Sequence, residues 1–202
     1  MSQTSAADSV EARILEIARA HVRKFGPARV TVVGVAQEAG MTHANVYRYF
    51  PSKAALLEEI TASWLRPIEV RLREAADSAD PAYDKLENML MTIHRAYRQK
   101  LENDPAVFDL LIEALEEDRS SARRHRARVQ SEIQRVVEEG VASGAFAMTD
   151  RRKAMSLIFD AAHRFIHPIA LRLDKDVAGT ALASRFETIL AVTLRMLRTG
   201  RA

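Results

Sequence analysis

Five side chains of different chemistry fall within eleven residues of one another: the imidazole of His43, the carboxamide of Asn45, the phenol of Tyr47, the guanidinium of Arg48 and the ammonium of Lys53. All can reach base edges or phosphate oxygens with hydrogen bonds. Nothing in the chain sets them up for catalysis. The serines stand in no nucleophile motif, and no paired carboxylates and no glycine-rich phosphate loop accompany them. The chain holds no cysteine, which removes disulfides, thiolate metal sites and cysteine nucleophiles together.

Side chains that read a duplex need a rigid mount, and the run from Thr31 to Phe50 supplies one. It reads as two short helices joined by a tight turn. Thr31 can cap the first helix and Thr42 the second by accepting bonds from free backbone N–H groups. Gly40 stands where the chain must turn sharply, at positive φ. Ala36, four residues earlier, is small enough to let the second helix approach. Val35, Ala39, Met41, Val46 and Tyr49 supply the shared core. These are the requirements of a helix-turn-helix. An ordinary helical hairpin could share the glycine and the apolar spacing, but it has no need of the small Ala36 together with the polar set on the second helix.

The rest of the chain is read as helical. Apolar residues recur at helical spacing, and period-2 patterns are nearly missing. Helices are expected from about 9 to 25, from Thr31 to Gly40, from Thr42 to Phe50, and from Ser52 through Leu65. Five more follow: from Pro81 past Tyr97, Val107 to Leu115, Ser121 to Val141, Asp150 to Ile166, and Val177 to Leu197. The proline after Asp80 and after Asp104 marks two of the starts. The expectation is an all-α fold of about nine helices, with residues 1–52 as a helix-turn-helix domain and 53–202 as a second helical domain.

Charge divides the chain in the same way. Through Lys53 there are seven basic and four acidic residues, so the first quarter carries the whole formal charge of +3. A positive head on a neutral body suits a polyanion partner at one end. No run of about 18 apolar residues is present, and the N-terminus lacks a basic start followed by an apolar run. A cytoplasmic protein is expected, with no membrane partner.

Thr31-Val32-x-x-Val35-Ala36, then Ala39-Gly40-Met41-Thr42, and above all Val46-Tyr47-Arg48-Tyr49-Phe50-Pro51-Ser52-Lys53-x-x-Leu56-Leu57 resemble the signature of the tetracycline-repressor (TetR) family. The match covers about residues 10 to 60. A second stretch, Glu138 to Phe146, is similar to that family's helix followed by G-x-x-x-G. The resemblance implies a three-helix DNA-binding head, a ligand-binding body, a homodimer and a palindromic operator, and most often a repressor. It also assigns roles. Tyr47 and Lys53 match phosphate-contacting positions, Thr31 and Thr42 match capping or phosphate-contact positions, and His43, Ala44 and Asn45 match positions that face bases. No cofactor is implied.

Within the body, aromatic and histidine side chains suggest an effector pocket. Ile93, His94, Tyr97, Phe108, Leu111, Phe159, Ala162, His163, Phe165 and His167 would offer apolar walls with polar tips, which suits a small and largely hydrophobic molecule. His163 and His167, four apart, also share a helix face as paired metal ligands do. No H-E-x-x-H motif accompanies them, so the organic-ligand reading is preferred and no metal site is expected. Ala154, Ile158, Ala161, Leu182, Phe186, Ile189, Thr193 and Leu197 on the last two helices are expected at a dimer seam. The alternatives are a ligand-independent DNA-binding protein and a helical enzyme.

Overall fold

The computed structural model describes residues 2–200, with side chains from Val10 onward. They form an all-α fold, as expected, of ten α-helices: α1 (Ser2–Phe25), α2 (Val32–Glu38), α3 (His43–Tyr49), α4 (Lys53–Asp77), α5 (Ala82–Asn103), α6 (Pro105–Glu116), α7 (Ser120–Ala142), α8 (Arg151–Ile166), α9 (Pro168–Leu173) and α10 (Gly179–Thr199). A 3₁₀ turn, Pro27–Arg29, joins α1 to α2. Among the described residues no helix is long and apolar enough to cross a membrane.

The helix beyond the nine expected is α9. Pro168 cannot continue α8, but its fixed φ suits the first position of a new helix, so the chain breaks at His167 and restarts. The sequence carries the same signal here as at Pro105. Helix α4 also runs further than its apolar spacing indicates. It continues through Pro67 to Asp77, giving up one backbone hydrogen bond at the proline.

The chain gathers into two compact units, and the divisions fall inside α4, after Trp64, between α5 and α6, after Asn103, and inside α7, after Arg123. This differs from a boundary between residues 52 and 53. The first unit holds the residues up to Trp64 together with Asp104–Arg123. The reason is α6. Its Val107 and Leu110 belong to the same apolar cluster as Ile14, Ala18 and Val22 of α1 and Leu57 and Ile60 of α4. Arg23 of α1 also grips the Asp104 carboxylate through Nε and Nη2, at 2.9–3.2 Å. A three-helix head alone would leave these apolar faces uncovered.

The second unit holds Leu65–Asn103 and the chain from Arg124 onward. Helix α10 packs on α8 and α5, and α5 also meets α8 and α9. The turn after α7 depends on two glycines. A Cβ at Gly140 would lie 2.1 Å from the Phe146 ring, which folds back over the helix and is 3% exposed. Gly144 takes φ +75°, which L side chains rarely adopt. This is the physical content of the G-x-x-x-G stretch.

Candidate nucleic-acid interface

The mount forms as its residue types dictate. Thr31 Oγ1 accepts from the Gly34 N–H at 3.0 Å, and Thr42 Oγ1 accepts from the Asn45 N–H at 3.3 Å, so each threonine caps its helix. Between them Gly40 adopts φ +68°, and the Met41 N–H donates to the Ala36 carbonyl at 3.0 Å, closing the turn. Val32, Val35, Ala36, Ala39, Val46 and Phe50 are buried beneath. Lys53, the first residue of α4, donates its ammonium to the Ala28 carbonyl at 2.7 Å and so ties the 3₁₀ turn to the start of α4. His21 and Glu38, 2.6 Å apart, link α1 to α2.

With Val46 pinned inward, α3 presents the opposite side to solvent. Thr42, His43, Ala44, Tyr47 and Arg48 are exposed there, Thr31 is exposed at the start of α2, and Asn45 and Lys53 are half-buried. The His43 ring meets the Tyr47 ring edge-on with centroids 6.4 Å apart. This is the i, i+4 neighbour relation of a helix, and it narrows the directions open to the phenol. The structure therefore brings all eight candidate residues into the first unit and leaves their polar ends on its surface or at its edge. The Lys53–Ala28 bond has no signature in local sequence.

The body candidates divide. Phe108 and Leu111 are fully buried in the first unit, where Phe108 lies 6.3 Å from Trp64. They belong to a different unit from the other pocket candidates, and it is the neighbouring Val107 and Leu110 of α6 that join the cluster shared with α1. His163 is exposed and stacks on half-buried His167, with centroids 4.6 Å apart, so it does not line an interior pocket. Ile93, His94, Tyr97, Ala162 and Phe165 are buried, and Phe159 is half-buried. His94 donates through Nδ1 to the Phe165 carbonyl at 2.8 Å, and burial pushes its pKa below the ordinary value, so the ring is held neutral. Phe165 stacks on Phe186 at 4.6 Å.

A buried polar chain crosses three helices of this unit. The Tyr97 hydroxyl on α5 lies 2.8 Å from His125 Nε2 on α7, and His125 Nδ1 lies 2.9 Å from Glu69 Oε1 on α4. An ionised Glu69 can only accept, so Nδ1 donates to it and Nε2 accepts from Tyr97. Arg128 also bonds Glu69. Burial alone would raise the Glu69 carboxyl, but the bonds from His125 and Arg128 outweigh it and hold the group below the ordinary carboxylate value. Burial, and then the Glu69 charge, push the Tyr97 phenol well above its ordinary range. His125 and Glu69 were not singled out from the sequence.

The expected seam residues turn mostly inward. Ala154, Ile158, Leu182, Phe186, Thr193 and Leu197 are buried within the second unit. Ala161 is half-buried, and Ile189 is 38% exposed. The outward face of α8 and α10 is instead a groove of about 600 Å³ lined by Leu157, Ala161, Ile189, Val192 and Met196, with Arg164 and Arg185 also on its walls and Thr193 reaching it. Helix α10 carries two apolar stripes, and the one containing Phe186 is spent on α5 and α8.

Two family models match the chain. One, described as bacterial regulatory proteins of the tetR family, matches residues 14–60. The other, described as a tetracyclin repressor-like C-terminal domain, matches residues 82–190. The nucleoid occlusion factor SlmA of Haemophilus influenzae is 35% identical over 69 residues, which is 32% of this chain and 32% of that protein, so the likeness spans about a third of its length. Two solved structures share the fold at low identity. The TetR family regulator PfmR of Thermus thermophilus is 23% identical, with 89% of this chain and 97% of that one covered and a TM-score of 0.57. The regulator FadR of Bacillus subtilis, in complex with stearoyl-CoA, is 19% identical, with 95% and 99% covered and a TM-score of 0.64.

Proposed function

The chain belongs to the TetR family of DNA-binding transcription regulators, and from that membership we propose that it is a dimeric repressor which leaves a palindromic operator when a small, mostly hydrophobic effector binds its second unit. One observation carries the DNA-reading part. Helix α3 is locked by Val46 on one side and presents His43, Ala44, Tyr47 and Arg48 on the other. His43, Ala44 and Asn45 face the bases. Tyr47 meets a phosphate, and Lys53 adds a second phosphate contact with the donors not spent on Ala28. Thr31 and Thr42 keep the two helix starts in place.

A recognition helix of seven residues offers few base contacts, so two copies reading two half-sites are needed for useful affinity. The seam is the α8–α10 groove, where Ile189 and Val192 stand exposed at 38% and 53%. A second copy covering that groove would bury about 1,600 Å² in total, the size of a standard stable interface. The effector site belongs to the second unit, beside Tyr97 and Phe159. Support for an apolar effector comes from the surrounding side chains and from FadR, which carries stearoyl-CoA in its solved complex. The test is fluorescence anisotropy on operator DNA with candidate effectors. Release from operator by one of them, with release weakened in Tyr97→Phe and unliganded binding unchanged, supports the reading. Operator binding that no small molecule alters turns it into a ligand-independent regulator.

A further inference from the structure

We propose that His163 and His167 form a two-imidazole site for a divalent late transition metal ion, such as Zn²⁺, Ni²⁺ or Cu²⁺, on the surface where α8 gives way to α9. The two rings lie 4.6 Å apart with 21° between their planes. Their spacing is fixed by the backbone, since the His167 N–H donates to the His163 carbonyl at 2.9 Å and Pro168 holds the chain beyond it. Two imidazoles four residues apart on one helical face can chelate a single ion.

What sets this pair apart is its nitrogens. Of the six histidines, His21 bonds Glu38, His94 bonds the Phe165 carbonyl, and His125 bonds both Glu69 and Tyr97. His43 stands alone against the edge of Tyr47. No hydrogen bond or ion pair among the described residues takes a ring nitrogen of His163 or His167, so both keep a lone pair to offer. Arg164, next in the chain, is held by Asp174 through bonds of 2.8 and 2.9 Å, so its charge is compensated. The rings now face each other. A turn of the exposed His163 about its side-chain torsions brings a nitrogen round beside that of His167.

Imidazole is a borderline donor. It selects late transition ions over Mg²⁺ and Ca²⁺, with Cu²⁺ strongest. Among the described residues no group of three or more metal-ligating side chains gathers, so water completes the coordination. The ion is then open to an added donor, unlike one in a closed structural site. The site belongs to the second unit and does not depend on the repressor reading.

The test is titration of the untagged full chain with Zn²⁺ in a calorimeter, beside the electron paramagnetic resonance spectrum of one equivalent of Cu²⁺. One ion per chain is expected, and the copper spectrum should show two imidazole nitrogens. His163→Ala and His167→Ala should each weaken binding by about tenfold or more through loss of chelation, while His43→Ala leaves it unchanged. His163 is exposed, so its removal leaves the fold intact, which circular dichroism checks. Absence of binding by the wild type at about 100 µM Zn²⁺ overturns the proposal, as does binding that survives His163→Ala undiminished.

Discussion

Tyr47 is 44% exposed with its ring against the edge of His43, so the two side chains have separable effects. Tyr47→Phe removes one hydroxyl from the proposed phosphate contact and should weaken operator and scrambled duplex alike, by about 0.5–1.5 kcal/mol or about two- to thirteenfold. His43→Ala should change the preferred sequence instead, measured by titration on a set of single-site operator variants. Lys53 has two jobs to distinguish. If it touches phosphate, Lys53→Ala lowers the slope of log affinity against log salt by about one. If affinity falls at constant slope, the residue acts only through the Ala28 carbonyl. In the second unit, Glu69 makes a pH prediction. Its folded pKa is depressed, so its contribution to stability is present above the ordinary carboxylate value of about 4.3 and is lost as pH falls through the folded value. The wild-type melting temperature should therefore drop more steeply below about pH 5 than that of Glu69→Gln. Equal slopes would show that Glu69 adds nothing to stability above that pH.

Helix ends and turns carry their own predictions. Gly40 has open space around its missing Cβ, so Gly40→Ala suffers only from the left-handed backbone, about 1–2 kcal/mol, and should melt a few degrees lower with weaker DNA binding. Gly140→Ala meets a ring instead. It should cost about 1–3 kcal/mol by overpacking, and much of that should return when Phe146 is shortened to Leu in the same chain. These elements show what a sequence makes legible. Thr31, Gly40 and Thr42 act on neighbours within a few residues, so their types alone indicate caps and a turn. The Glu69–His125 pair joins residues 56 apart, and no local pattern announces it. Helix α10 illustrates a middle case. Its spacing marks Leu182, Phe186, Ile189, Thr193 and Leu197 as one apolar set, yet the set is wide enough to serve two neighbours. Only packing separates Phe186, buried against Phe165 and His94, from the exposed Ile189. Helix α9 was signalled by Pro168, but six residues carry too little periodicity to stand out.

For the molecule as a whole, the proposed dimer turns on which face of α8 and α10 is shared. Val192→Asp and Ala161→Asp place a charge in the outward groove and should give folded monomers by light scattering, with native circular dichroism. Phe186→Asp places it in the core and should unfold the second unit. Monomers from neither groove variant would move the seam elsewhere. The two-fold reading of DNA follows from the dimer, because a symmetric pair of α3 helices can match only a sequence that repeats with inversion. Selection of tight-binding duplexes from a random-sequence library tests this most directly. Wild type should enrich an inverted repeat, and His43→Ala should enrich a different base within each half-site. Enrichment of a single unpaired half-site, or of no sequence at all, would contradict the two-fold reading.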